Sequence, residues 1–263
     1  MAILVPIIVL AALLVSGQPC TEAHPAAPEP NPAVQWLDKL EVRGREIRSF
    51  RADIVFDKSD ELLKDRVTRT GELSYLAGER EGTAAANHPR FAVIFRQLIA
   101  DGKLRNEMVE FIFDGEWLVE KDHKHKRFEK RQVVAPQDKG KIDPLSIDGP
   151  FPLPLGQKRE QVMRRFDATV VSEDDDGKLH LRLIPRPDAP MLRDQKKFDS
   201  VEFWFDRQSL LPVKVVTDEG AVVTTVTLSN PRANDLDEHK AAELFRTDPP
   251  KGGWRVEIKP WND

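Results

Sequence analysis

The chain has 263 residues, with Lys+Arg 40 against Asp+Glu 44 and a formal net charge of −4. Hydrophobic residues make up 40%, enough for a core, so a disordered chain is excluded. A single cysteine excludes a disulfide scaffold and a cysteine-based zinc cluster, and the charge balance gives no reason to expect nucleic acid as a partner.

Residues 2–15 carry no charge and are almost wholly apolar. The run is shorter than the roughly 20 residues that cross a bilayer, and it matches the core of an export signal. No Lys or Arg precedes it. Cleavage is expected after Gly17 or Ala23, so 1–23 reads as a signal peptide and the protein as exported to the periplasm or cell envelope. Cys20 follows Gly17-Gln18-Pro19, and proline directly before the cysteine departs from the pattern of lipid-modified cysteines. Lipid anchoring through Cys20 is therefore the disfavoured alternative. Residues 24–32 hold Pro25, Pro28, Pro30 and Pro32 among alanines, an extended linker. A single β domain is expected over 33–263.

Asn31-Pro32 reads as a helix start, and Val34, Leu37 and Leu40 then fall at helical spacing, which predicts a helix over 32–45. The period changes at Phe50, Ala52, Ile54 and Phe56, which share one face of a half-buried strand. Leu73 and Tyr75 repeat that pattern, as do Phe91, Val93 and Phe95, and a further strand is expected over 103–113. Asp114-Gly115, between Phe113 and Trp117, predicts a hairpin turn in which both residues tolerate positive φ. Asp176-Gly177 and Glu219-Gly220 mark similar turns. A helix is expected over 157–166, with Val162, Met163 and Phe166 on one stripe, and a short one over 236–245. About ten strands in an antiparallel meander result.

Catalytic patterns are missing. There is no Gly-x-Ser-x-Gly, no His-Glu-x-x-His, no phosphate-binding glycine loop and no dinucleotide fingerprint. His123 and His125 would share a face of a strand, but they sit in the cationic run Lys121-Asp122-His123-Lys124-His125-Lys126-Arg127, which repels a divalent metal. The run reads as a solvated hairpin edge. No enzyme activity, metal or cofactor is expected.

The order of elements resembles a known family. Gly71-Glu72-Leu73-Ser74-Tyr75 is followed by Asn87-His88-Pro89-Arg90-Phe91, and then by the hairpin Phe113-Asp114-Gly115-Glu116-Trp117-Leu118. Phe203-Trp204-Phe205-Asp206 precedes Leu211-Pro212-Val213, and the chain closes on Phe245-Arg246-Thr247-Asp248-Pro249-Pro250-Lys251-Gly252. In this order the motifs resemble the periplasmic outer-membrane lipoprotein carriers of the LolA/LolB type. The Pro150-Phe151-Pro152-Leu153-Pro154 stretch also resembles planctomycete proteins with this domain. The resemblance implies a mainly β (α+β) fold: a strongly curved antiparallel half-barrel whose concave face is covered by helices around a cavity for acyl chains. It also implies a lid, which in the carriers is held by an arginine before the turn proline. His88 stands at that position here, a departure from the pattern.

Such a cavity must shield an acyl chain. At about 0.8 kcal/mol per buried CH₂, a 16-carbon chain represents on the order of 12 kcal/mol. The expected lining is Phe91, Val93, Phe95, Phe111, Phe113, Trp117, Phe203 and Phe205, since phenylalanine brings no polar group into an apolar space. The expected lid is His88 with Val162, Met163 and Phe166. The same residues would equally serve a filled core, so the volume between sheet and helices separates the readings. The leading reading is a monomeric, non-enzymatic carrier of lipid or lipoprotein acyl chains with transient membrane contact. The alternative is an envelope scaffold or sensor that uses the same fold to bind a protein.

Overall fold

The computed structural model describes residues 31–78, 88–135, 154–187 and 198–261. The expected signal, most of the linker and the 150–153 part of the proline-rich stretch lie outside these residues.

Helix α1 (Pro32–Glu46) begins where the sequence predicts. Asn31 caps it, its side-chain oxygen accepting from Ala33 N–H at 3.0 Å. Its buried stripe is Ala33, Trp36 and Leu37. Two long hairpins follow, β1 (Ser49–Asp60) with β2 (Asp65–Leu76) and β3 (Arg90–Ala100) with β4 (Lys103–Phe113). A third hairpin pairs β5 (Trp117–Asp122) with β6 (Arg127–Gln132). Helix α2 (Arg159–Arg165) leads directly into β7 (Phe166–Asp175), β8 (Lys178–Pro185), β9 (Ser200–Asp206), β10 (Pro212–Asp218) and β11 (Val222–Ala233). Helix α3 (Glu238–Leu244) and β12 (Arg255–Lys259) complete the order.

All described strands join one sheet of twelve, in the order β12-β6-β5-β4-β3-β2-β1-β11-β10-β9-β8-β7. The sheet is curved and unclosed, as the half-barrel expectation requires. The described residues form twelve strands where about ten were expected, and one pairing in the otherwise antiparallel meander is parallel, that of β12 with β6. A chain arriving from α3 on one side of the sheet enters at the end where β6 begins, so Arg255 N–H meets the Lys126 carbonyl at 2.8 Å.

The turns show how local chemistry sets the hairpins. Asp101-Gly102 and Asp176-Gly177 take positive φ at both positions. Asp114-Gly115 does not: only Gly115 has positive φ, at 106°, and the Asp114 carboxylate instead accepts from Glu116 and Trp117 N–H. Gly71 answers a different demand. A Cβ there would lie 2.0 Å from the Ile94 carbonyl oxygen, where the β2–β3 register shifts, so the strands come too close for any side chain.

The sheet carries a core on each face. The inner one runs from Phe50 and Ile54 through Leu73, Phe91 and Phe113 to Leu181, Phe203 and Val215, and includes α1 and Val162. The outer one is small: Ala92, Ile112, Val119 and Phe128 lie under Ala241 and Phe245 at α3. A C-terminal strap crosses that outer face. It starts at Asn234, in the left-handed region at φ 62°, whose side-chain oxygen accepts from Arg48 and Ser49 N–H at 2.7 and 3.2 Å.

The basic run is largely the solvated hairpin the sequence suggests, with Lys124 to Arg127 exposed, and Lys121 is the exception. Residues 123–126 form the β5–β6 turn, so His123 and His125 do not share a strand face. Each pairs with its own carboxylate, Glu110 at 2.6 Å and Asp122 at 2.7 Å. Lys121 is buried, donating to the Arg246 carbonyl at 2.8 Å with Glu110 3.4 Å away.

Candidate apolar binding face

Cross-strand pairs place the inner face residue by residue. Phe50 pairs with Tyr75, Tyr75 with Phe91, and Phe91 with Phe113. The next row runs Ala52, Leu73, Val93, Phe111. On the other side of β1, Val215 pairs with Phe203 and Phe203 with Leu181. Aromatic contacts tie the first region together: Phe91 stacks on Phe113 at 5.7 Å, and Phe95 touches Phe56 at 6.0 Å and Phe111 at 6.2 Å.

Seven of the eight expected lining residues share this face. Phe91, Val93, Phe95, Phe113, Phe203 and Phe205 are buried in the inner core, and Phe111 is partly buried against it. Trp117 is the exception. Phe113 pairs with Leu118, which puts Leu118 on the inner face and Trp117 on the outer one, where Lys130 Nζ lies 5.2 Å from its ring. Four residues, Asp114 through Trp117, separate the paired positions. An even-length loop matches odd positions on one strand with even positions on the next, so Trp117 follows Ile112 and not Phe113.

The expected lid is also rearranged. Val162 is the buried residue of α2, and Met163 packs at the edge of the inner core. Phe166 is buried too, but as the first residue of β7 and not as part of the helix, which ends at Arg165. The extended pairing of Phe166 with Pro185 takes it into the sheet. His88 lies against the β4–β5 turn: a Cβ on Gly115 would sit 2.4 Å from His88 Cβ.

Between the two helices and β8–β9 lies a cavity of about 20 Å³ lined by the apolar side chains Leu37, Leu40, Pro154, Val162, Leu181, Leu183, Phe203 and Phe205, together with Gln157. That space holds about one water. Leu37 and Leu40, at helical spacing, close it from α1, and Leu181 and Leu183, alternating along β8, close it from the sheet. No local pattern shows that they meet, because the helix and the hairpin are far apart in sequence.

The roof is held by small, mostly polar contacts. A Cβ on Gly44 would lie 2.3 Å from Gly156 Cα, so α1 and the turn before α2 meet backbone to backbone. Arg159 N–H donates to Glu41 Oε2 at 2.8 Å, and its guanidinium lies 3.0 Å from Asp38. The Arg159 N–H holds the Glu41 carboxyl below its usual range, against the opposing pull of burial and with help from Arg45. Outside this seam is a groove of about 320 Å³ lined by Asp38, Glu41, Val42, Arg45, Lys158, Arg159 and Glu160. Trp36 anchors the far end of the roof, its Nε1–H donating to Glu173 at 3.1 Å.

Among the described residues, no group of three His, Cys, Asp or Glu side chains could hold a metal ion, and no helix is long and apolar enough to cross a membrane.

The fold and this face define an open half-barrel with one apolar concave side under a two-helix roof. No family model matches the chain, and no curated protein sequence does. Among solved structures it is similar to an outer membrane lipoprotein-sorting protein domain from Vibrio parahaemolyticus, at 13% identity over 81% of this chain and 98% of that one, with a TM-score of 0.38. The lipoprotein LppX of Mycobacterium tuberculosis is similar at 11% identity over 79% and 99% of the two chains, TM-score 0.41. MucB in its complex with MucA from Pseudomonas aeruginosa is similar at 16% identity over 79% of this chain and 59% of that one, TM-score 0.41. One of these three is a lipoprotein-sorting domain, the kind of protein that the sequence motifs resemble. At such scores the likeness bears on no residue of the site.

Proposed function

We propose that this protein is a non-enzymatic, exported binder of lipid or lipoprotein acyl chains, which enter between the curved sheet and the α1–α2 roof. The observation that carries the proposal is the composition of that interface. Every side chain lining the 20 Å³ cavity is apolar except Gln157, and the α2 part of the roof is a seven-residue helix with one buried side chain. Burying Val162 contributes about 1.5–3 kcal/mol, and the exposed Arg159–Asp38 pair adds about 1 kcal/mol or less. A 16-carbon chain brings on the order of 12 kcal/mol of apolar burial. The ligand therefore outcompetes these α2 contacts, and α2 acts as the lid. The closed cavity is far too small for an acyl chain, so binding requires α2 to leave the face.

The test is binding of cis-parinaric acid followed by its fluorescence, with native mass spectrometry of the extracted protein for co-purified lipid. Saturable binding that weakens on Leu183→Asp supports the reading. Failure of the folded wild type to bind any acyl probe contradicts it. The small cavity volume favours a second reading, an envelope scaffold or sensor that binds a protein; partner capture unaffected by Phe111→Asp would support that one.

A further inference from the structure

The two edges of the sheet are finished differently. At the β7 edge the Asn31 side chain donates to the Ala168 carbonyl at 3.1 Å, so the cap of α1 covers part of that edge. At the β12 edge all five residues are exposed, with Val256 at 45% and Ile258 at 55%. Arg255 N–H points to the carbonyl of Lys126, just before β6. Backbone groups alternate in direction along a strand, so those of Val256 and Ile258 point away from the sheet. An edge with outward backbone groups and exposed β-branched side chains is a template for another strand.

The side chains say which strand. Lys259 reaches Glu129 at 3.1 Å, and Glu257 faces Glu129 in the parallel register. Arg255, Glu257 and Lys259 therefore share the inner face, and Val256 and Ile258 the outer. Arg255 has no ion-pair partner among the described residues. Two copies of β12 can pair antiparallel about a twofold axis in three registers. With Glu257 on the axis, Glu257 opposes Glu257 and Arg255 opposes Lys259, so like charges meet throughout. With Ile258 on the axis, Val256 opposes Pro260, which has no N–H to give. With Val256 on the axis, the two Val256 residues exchange a pair of backbone bonds. Ile258 then meets Trp254 of the second copy, and Arg255 meets Glu257 twice.

We propose that the β12 edge is a self-association surface, pairing antiparallel about Val256 with a second copy of this chain. The contact is isologous, and it is independent of the acyl-binding reading. A single added strand makes a small interface, so the dimer forms and dissociates with concentration.

Sedimentation velocity over a concentration series tests this with Arg255→Glu, Glu257→Arg and their equimolar mixture. Each variant alone places like charges opposite each other, while the mixture restores two opposite-charge pairs. The expected result is a wild-type dimer at high concentration, monomers for each variant alone, and a dimer for the mixture. Wild type that stays monomeric at its highest soluble concentration overturns the proposal. So does a dimer that survives in either variant, or a mixture that stays monomeric. Amide exchange of Val256 and Ile258 in the wild type reads the same contact without substitution: it slows as concentration rises, and concentration-independent exchange contradicts the pairing.

Discussion

The two faces of the sheet bury comparable side chains by different means. On the outer face a small core of Ala92, Ile112, Val119 and Phe128 is fastened under the C-terminal strap by directed bonds: Lys121 to the Arg246 carbonyl and Glu110, and Lys130 to Thr247 at 3.3 Å. On the inner face a far larger core meets α2 through the apolar contact of Val162 and Met163, while α1 is tied down by directed bonds from Asn31, Trp36 and Arg43. Hydrogen bonds fix a geometry because their loss leaves buried groups unsatisfied. Apolar contact is non-directional, and another apolar group can replace it. The outer cover is therefore a fixture, and within the inner cover α2 is the replaceable part.

The largest effects should separate the cores. Phe91 and Phe128 are both fully buried, one on each face. Each truncated to alanine is expected to lose about 3–5 kcal/mol in chemical denaturation. Only Phe128→Ala should also speed amide exchange in α3; faster α3 exchange in Phe91→Ala would break the division. Lys121→Met comes next. It leaves Glu110 with His123 alone and the Arg246 carbonyl without its donor, an expected loss of about 1–3 kcal/mol. A following Glu110→Gln should cost less than it does in the wild type, which thermal melting of the double-mutant cycle would show.

Gly44→Ala probes the roof. The added Cβ must push α1 from Gly156, with an expected loss of about 1–3 kcal/mol and faster acyl-probe uptake. Slower uptake would contradict a roof that opens at α2. The smallest effect belongs to Glu41. Because its folded carboxyl titrates below the usual range, its contribution is complete above the ordinary carboxylate pKa and is lost as pH falls through the lowered one. Amide exchange in α2 should therefore quicken on acidification in the wild type, and Glu41→Gln should flatten that dependence.

Much of the inner face is legible in the sequence because alternation is local. Phe91, Val93 and Phe95 declare their common face within five residues, and Phe203 with Phe205 within three. Trp117 is misplaced because its face depends on loop parity, not on its neighbours. Phe166 is misread because its helical spacing to Val162 competes with a strand whose partner, Pro185, lies beyond a turn. The parallel pairing of β12 with β6 joins positions more than a hundred residues apart, and Lys121 is buried only because the strap returns over it. Such contacts have no local signature.

The central claim is that α2 yields to an acyl chain. Amide exchange of Val162 and Met163 with and without palmitate, alongside native mass spectrometry of the same samples, tests it most directly. The account predicts a one-chain adduct together with faster exchange at both amides as α2 leaves the sheet. No adduct in the wild type or in Gly44→Ala, with exchange at Val162 unchanged, would contradict it.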